Sequence, residues 1–203
     1  MPKLLIATNN THKLEEFKQI FANLPFEITY PIKEGLTLDP EETGTTFAEN
    51  AIIKAKAFAQ VSGLLTMSDD SGLEVDALNQ EPGVYSARYG NTAKDDHARR
   101  CELILNKLAA LKLTDKERSA RFRCVIAIVT PQGHVELAEG TVEGYITDKP
   151  LGKNGFGYDP IFFVPEFNQT TAQMSPETKN QTSHRGKAAR ASLPILENLV
   201  RGT

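Results

Sequence analysis

The opening of this chain commits it to an α/β architecture. An apolar run from Lys3 to Ala7 ends in the polar turn Thr8-Asn9-Asn10-Thr11. A stripe of Leu14, Phe17, Phe21 and Leu24 then recurs at helical spacing. Phe26, Ile28 and Tyr30 next alternate with Glu27 and Thr29, the period of a strand with one polar face. The order is strand, helix, strand.

The mixture continues along the chain. Residues 34 to 45 form a loop rich in Gly, Thr and acids, including Asp39, Glu41 and Glu42. It ends at Thr46-Phe47-Ala48-Glu49, where Thr46 and Glu49 can satisfy each other's free backbone donors as a capping box. The helix behind it is expected to bury Phe47, Ala51, Ala55 and Phe58 and to stop at Gly63. Leu64 to Met67 reads as a buried strand broken at Ser68-Asp69-Asp70-Ser71-Gly72, after which Leu73, Val75 and Ala77 alternate with acids. Residues 95 to 111 form a further helix with Ala98, Cys101, Leu105 and Leu108 facing inward.

In the second half, Arg121 to Thr130 and Val135 to Ile146 read as antiparallel partners joined at Pro131-Gln132-Gly133. A glycine-bearing loop from Asp148 to Pro160 leads into a short strand, Ile161 to Val164. Ser175-Pro176 marks a helix start. The segment from His184 to Leu199 is helical in composition, with Pro194 expected to kink or restart it. No repeat or linker divides the 203 residues, so one mixed α/β unit is expected, with N- and C-terminal lobes as an option.

Composition narrows the partners. The formal charge is 23 − 26 = −3 and no basic stripe stands out, which argues against a nucleic-acid backbone as ligand. No stretch approaches the ~20 apolar residues of a membrane span, and the short apolar run at the N-terminus does not resemble a signal peptide. Cys101 and Cys124 lack a CxxC pattern and read as half-buried thiols of a reducing, cytoplasmic compartment. His12, His97, His134 and His184 are scattered, against a structural zinc site.

Four segments can carry chemistry. Backbone N–H groups at a helix start can cradle phosphate, so Thr8, Asn9, Asn10, Thr11, His12 and Lys13 form the first candidate; the alternative is a surface lysine behind a capping asparagine. No GxxxxGK[ST] loop is present. The acids Glu41, Glu42, Asp69 and Asp70 are hard oxygen donors of the kind that hold Mg²⁺, although Asp-Asp-Ser-Gly is also good turn chemistry. Asn50 and Lys54 share one helix face.

Gly152 to Pro160 has the wrong order for a dinucleotide fingerprint; it reads better as a loop that offers Phe156 as a stacking surface and Asp159 as an acceptor, or as a turn with a core aromatic. Lys179 with Ser183-His184-Arg185-Gly186 supplies donors that suit a 6-oxo purine, or else a charged helix start.

Together these segments resemble the inosine triphosphate pyrophosphatase family. The resemblance rests on Thr8-Asn9-Asn10 with Lys13 and Glu16, on Glu42-Thr43-Gly44 with Thr46-Phe47, and on Glu49-Asn50-Ala51 with Lys54. It continues through Asp69-Asp70-Ser71-Gly72-Leu73, Pro82 to Tyr89, Gly155 to Pro160 and Ser183-His184-Arg185-Gly186, and so spans nearly the whole chain in order.

The resemblance implies an elongated mixed β-sheet flanked by helices, two lobes with a central active-site cleft, and a homodimer. It implies hydrolysis of ITP, dITP and XTP to monophosphate and pyrophosphate with Mg²⁺. Carried over by residue, positions 8 to 13 and Lys54 hold phosphate, Glu41 or Glu42 and Asp70 hold metal, and Asp70 accepts a proton. Ser71 contacts the nucleotide, while Phe156, Gly157, Tyr158, Asp159, Lys179, His184 and Arg185 surround the base and sugar. The rival expectations are a septum-formation-inhibitor type of pyrophosphatase and a non-catalytic nucleotide sensor.

Overall fold

A computed structural model describes residues 1–93 and 95–201. Its seven-stranded sheet has the order β2-β1-β3-β4-β5-β6-β7. Strand β1 (Lys3–Ile6) lies parallel to both β2 (Glu27–Thr29) and β3 (Leu65–Val75), with Leu4 opposite Ile28 on one side and Leu65 on the other. The crossover to β2 is helix α1 (Thr11–Ile20), started by Asn10, whose side chain accepts from the His12 and Lys13 N–H groups. Alternation sends Leu4 and Ile6 to a core with Leu14, Phe17 and Phe21, while Leu5 and Ala7 meet Phe58 on the opposite face. A strand covered on both faces must be apolar throughout, and this one is.

Helix α2 (Phe47–Ser62) forms as its local signals require. Thr46 and Glu49 make the reciprocal capping box, and Gly63 closes the helix in the left-handed region at φ 66°. The buried face is Phe47, Asn50, Ala51, Ala55, Phe58 and Ala59. Strands β4 (Ser119–Val129) and β5 (Val135–Ile146) are sheet neighbours joined by a short turn, which makes them antiparallel. Strand β6 (Phe162–Val164) is antiparallel to β5, and β7 (Gln169–Thr170) to β6, so the sheet is mixed.

The remaining helices are α3 (His97–Ala110), α4 (Pro176–Thr182) and α5 (His184–Arg201). Ser175 caps α4 by accepting from the Thr178 N–H, with Pro176 at the first helical position.

The chain gathers into two compact units. The first takes Met1–Asp70, Cys124–Gly140 and Arg185–Thr203; the second takes Ser71–Arg123 and Thr141–His184. Both chain ends therefore belong to the first unit, so the units are not an N-terminal and a C-terminal half. Each has its own core. That of the first includes Phe17, Phe21, Met67, Ile126 and Leu196, and that of the second Leu73, Ile104, Leu108, Phe122 and Phe162. Burying each such side chain contributes roughly 1.5–3 kcal/mol.

Four expectations need correction. Residues 68–72 do not break a strand, because β3 runs unbroken from Leu65 to Val75 beside its neighbour β4, and ladder bonding overrides the turn preference of Asp, Ser and Gly. In α3 the inward stripe is Arg100, Cys101, Ile104 and Leu108; Ala98 is exposed and Leu105 only half-buried, because the helix begins at His97 and its packed face is rotated. Pro194 does not restart α5, which is one element through it. Both thiols are fully buried, and burial pushes the Cys101 pKa up to about 12.

Candidate active site

In the first unit, Asp69 and Asp70 are successive residues of β3, so their side chains leave opposite faces of the sheet. Strand β1 ends before them, with the Ala7 N–H making the last bond, to the Met67 carbonyl. One carboxylate serves each face.

Asp69 is 1% exposed and is the hub of a buried charge network. Lys13 Nζ lies 2.9 Å from its Oδ2, and Arg185 Nε and Nη2 each donate to the same oxygen at 3.4 Å. The Cys124 thiol donates there at 3.8 Å. Arg185 Nη1 also donates to Glu16 at 2.6 Å, and its guanidinium stands 5.9 Å from the centre of the Phe17 ring. Burial alone would raise the Asp69 pKa, but Lys13, Arg185 and Lys54 overcome it and hold the carboxylate well below its usual range.

Asp70 has the opposite balance. It is 7% exposed, and Asn50 Nδ2 donates to its Oδ2 at 3.0 Å. Burial raises its pKa and Glu42 adds to the rise, against smaller lowering by Lys13, Lys54 and Asn50. Lys54, on the same helix as Asn50, donates to Glu42 at 2.7 Å. Burial works against the Lys54 ammonium, but Asp69, Glu42 and Asp70 outweigh it and raise its pKa. Three cations (Lys13, Lys54, Arg185) thus stand among four carboxylates (Glu16, Glu42, Asp69, Asp70), a local balance of 3 − 4 = −1.

The first unit is set by short-range geometry. Asn50 Oδ1 accepts from the Gly44 N–H at 2.8 Å, which ties the acid loop to α2. A Cβ on Gly44 would come 2.6 Å from Glu49 Cβ, so only glycine lets the loop approach. Thr8 is buried and accepts from the Asn10 N–H at 3.2 Å, Asn9 donates to the Leu38 carbonyl at 3.2 Å, and Asn9 to His12 are exposed at the helix start.

The second unit carries an aromatic and polar set. Asp159, 3% exposed, accepts from the Phe156 N–H at 2.8 Å and from Lys179 Nζ at 2.7 Å through Oδ2, while Oδ1 accepts from Thr171 Oγ1 at 2.9 Å. Lys179 Nζ sits 4.9 Å from the centre of the half-buried Phe156 ring. His184 stacks on Phe122 with centroids 4.6 Å apart. A cation therefore stands over the Phe156 ring.

A model of the Ham1 family matches residues 4–195. The chain belongs to the Ham1 family. Among its relatives, a dITP/XTP pyrophosphatase of Desulforamulus reducens is 46% identical, covering 97% of this chain and 96% of the relative. One from Bacillus subtilis is 43% identical over 97% and 98%. Two solved structures agree: a HAM1 protein from Coxiella burnetii at 40% identity, TM-score 0.85 and full coverage of both chains, and the Ham1 protein of Staphylococcus aureus at 42%, 0.82 and 98% of each. The family read from the motifs and the mixed α/β sheet are both borne out.

Within this Ham1 chain the expected site residues fall into two groups. Lys13, Lys54, Glu42 and Asp70 come together in the first unit, with Thr8, Asn9, Asn10, Thr11 and His12 at the start of α1; Glu41 is exposed in the loop beside Glu42. Phe156, Asp159 and Lys179 come together in the second, where Ser71, Gly157 and His184 also lie. Two more of the expected residues have partners that the sequence did not show. Tyr158 packs in the core and donates to the Ser86 carbonyl at 2.9 Å, and Arg185 serves Glu16 and Asp69 of the first unit.

Asn50 and Glu16 are functional candidates to which sequence reasoning gave no role, and Asp69, read there only as one of four acids that could hold Mg²⁺, is the hub of the charge network. For Asn50 a signal existed, since a polar side chain on the apolar face of α2 must find a partner.

Proposed function

We propose that this chain hydrolyses the non-standard purine nucleoside triphosphates ITP, dITP and XTP to the monophosphate and pyrophosphate. The names of the relatives support the substrate class. The observation that carries the chemistry is Asp70, a buried carboxylate whose pKa is raised while two lysines stand within its electrostatic reach. A raised pKa makes a carboxylate a better proton acceptor than an ordinary one.

Asp70 orients the attacking water and takes its proton as the bond from the α-phosphorus to the bridging oxygen breaks. Lys13, Lys54 and the N–H groups at the start of α1 stabilise charge on the departing phosphates. Phe156 stacks the base, and Lys179, Asp159, His184 and Ser71 supply polar contacts to base and sugar. Arg185 acts on this reading through Asp69, holding Lys13 in place.

The donor set fits Mg²⁺. Glu42 and Asp70 are hard oxygen ligands, and Glu42 contributes to the raised Asp70 pKa, a tension that a cation relieves. Among the described residues no three His, Cys, Asp or Glu side chains gather as a metal cage, which suits an ion that takes only one or two carboxylates along with phosphate oxygens and water. Bound there, Mg²⁺ supplies the positive charge that this net-negative cluster needs before it can hold a triphosphate.

A homodimer and a cytoplasmic location complete the proposal; the two free, buried cysteines suit a reducing compartment. The test is a panel of ITP, dITP, XTP, ATP and GTP with and without Mg²⁺, with release of monophosphate and pyrophosphate measured. Mg²⁺-dependent turnover confined to the first three is expected. Equal cleavage of ATP and GTP would sink the reading.

A further inference from the structure

His97 stands beside the Phe156 platform with its tautomer already chosen. It occupies the first position of α3, half-buried, and its ring centre lies 6.3 Å from that of Phe156 at an angle of 55°. One turn along, Arg100 is 2% exposed and brings Nη2 to 2.7 Å from His97 Nδ1.

A guanidinium has donors only and stays protonated in proteins, so Nδ1 must be the acceptor in this pair. The imidazole is then the neutral form that carries its proton on Nε2. Arg100 is itself pinned, because its Nη1 donates to Thr92 Oγ1 at 3.0 Å and to the Ala93 carbonyl at 2.7 Å. A buried arginine held in this way fixes both the turn of the ring and the site of its proton, as an outer partner fixes a histidine metal ligand.

We propose that His97 is a specificity-determining residue whose Nε2–H donates to a ring carbonyl of the oxo-purine stacked on Phe156. This rests on the reading above that Phe156 stacks the base. A histidine whose Nδ1 is occupied by an arginine cannot offer an acceptor on that nitrogen, and an exocyclic amino group, as in adenine, would meet only an N–H. Inosine and xanthine bases present carbonyl oxygens instead. The preference thus comes from a proton that the base cannot displace, and Arg100 is the positioning residue that enforces it.

The test compares His97→Phe, which keeps an aromatic ring and removes the donor, with His97→Gln, which keeps an N–H at a similar reach. Neither places a new group in the core, since position 97 is half-buried. For His97→Phe, kcat/KM for ITP and XTP should fall roughly three- to tenfold while slow hydrolysis of ATP rises, which narrows the preference, and His97→Gln should recover most of the loss. Nitrogen-15 NMR of the histidine rings gives a readout apart from activity. His97 should show the Nε2–H tautomer, and its Nε2 signal should move on adding IMP but not AMP.

An equal loss on ITP and ATP, or a His97 with its proton on Nδ1, would overturn the proposal. Phe156→Ala is measured in parallel. If it leaves ITP turnover and KM untouched, the base reading falls and this proposal with it; if it weakens ITP while His97→Phe does not, only the assignment of His97 is wrong.

Discussion

Asn50 holds Asp70 by one oxygen and the acid loop by one backbone N–H, at 3.0 Å to Asp70 Oδ2 and 2.8 Å from Gly44 N. A single buried amide, 0% exposed, thereby sets the carboxylate and the loop that carries Glu42 against the same helix. Truncation to alanine would leave both partners unsatisfied in the interior. Asn50→Ala should lower kcat roughly 10- to 100-fold, as loss of an outer partner does at a metal-assisted site. Asn50→Asp should instead move the acid limb of kcat/KM to higher pH, because a second carboxylate raises the Asp70 pKa further. Steady-state kinetics across pH separates the two.

Asp70→Asn should lose turnover by roughly 10²- to 10⁴-fold, the usual contribution of a positioned acid or base, while nucleotide still binds. The same change should raise Tm at neutral pH in the absence of metal. The sign follows from the raised pKa. Charged Asp70 is costlier in the folded chain than in the unfolded one, and the cost is absent below the unfolded value of 3.8 and present once pH exceeds the folded value. Calorimetry of both proteins at pH 7, with activity measured on the same samples, checks both halves. A variant that is inactive and also less stable would place Asp70 in a structural role.

Asp69→Asn should be destabilising, by roughly 3–5 kcal/mol, since it strips the partner of the buried Arg185 and the half-buried Lys13 at once. Lys13 and Arg185 would both face an amide in place of a carboxylate. The folded pKa of Asp69 lies below its unfolded value of 3.8, so its contribution is present above that pH and is lost as pH falls below it. Urea midpoints of wild type and variant should therefore differ widely at pH 7 and draw together in strong acid. A constant gap across pH would show that packing, not charge, is at stake.

Gly155→Ala should weaken the base side and spare the phosphate side. Gly155 has φ 75°, where a side chain is strained, and an added Cβ would fall on Asp159 Oδ2 and 3.1 Å from Lys179 Nζ. The Asp159–Lys179 pair would have to shift, and with it the cation over Phe156. KM for ITP should rise by about tenfold and stability fall by about 1 kcal/mol or more, with inorganic pyrophosphate inhibition unchanged. An unaltered KM would separate the loop from base binding.

Several parts of this fold were legible in the sequence because their causes are local. Thr46, Glu49 and Gly63 bound α2 through contacts that span only a few residues, and the turn at Pro131-Gln132-Gly133 sets the β4–β5 neighbours. The parallel packing of β1 left its mark as an unbroken apolar run, Leu4 to Ala7, since both its faces are covered. The motif order along the chain was enough to name the family that the comparison found.

What only the tertiary structure decided lies at Ser68–Gly72 and at Arg185. Local chemistry favours a turn for Asp-Asp-Ser-Gly, and only pairing within the sheet, beside β4, converts it into a strand that sends Asp69 and Asp70 to opposite faces. Arg185 reaches Asp69 from 116 positions away, a pairing that no periodicity encodes. The pKa of one carboxylate is consequently lowered and that of the other raised, although they are chemically identical neighbours in the chain. Sequence specifies which groups exist and which local conformations they prefer, but a pKa depends on burial and on charges brought near through space, and those exist only once the chain has folded.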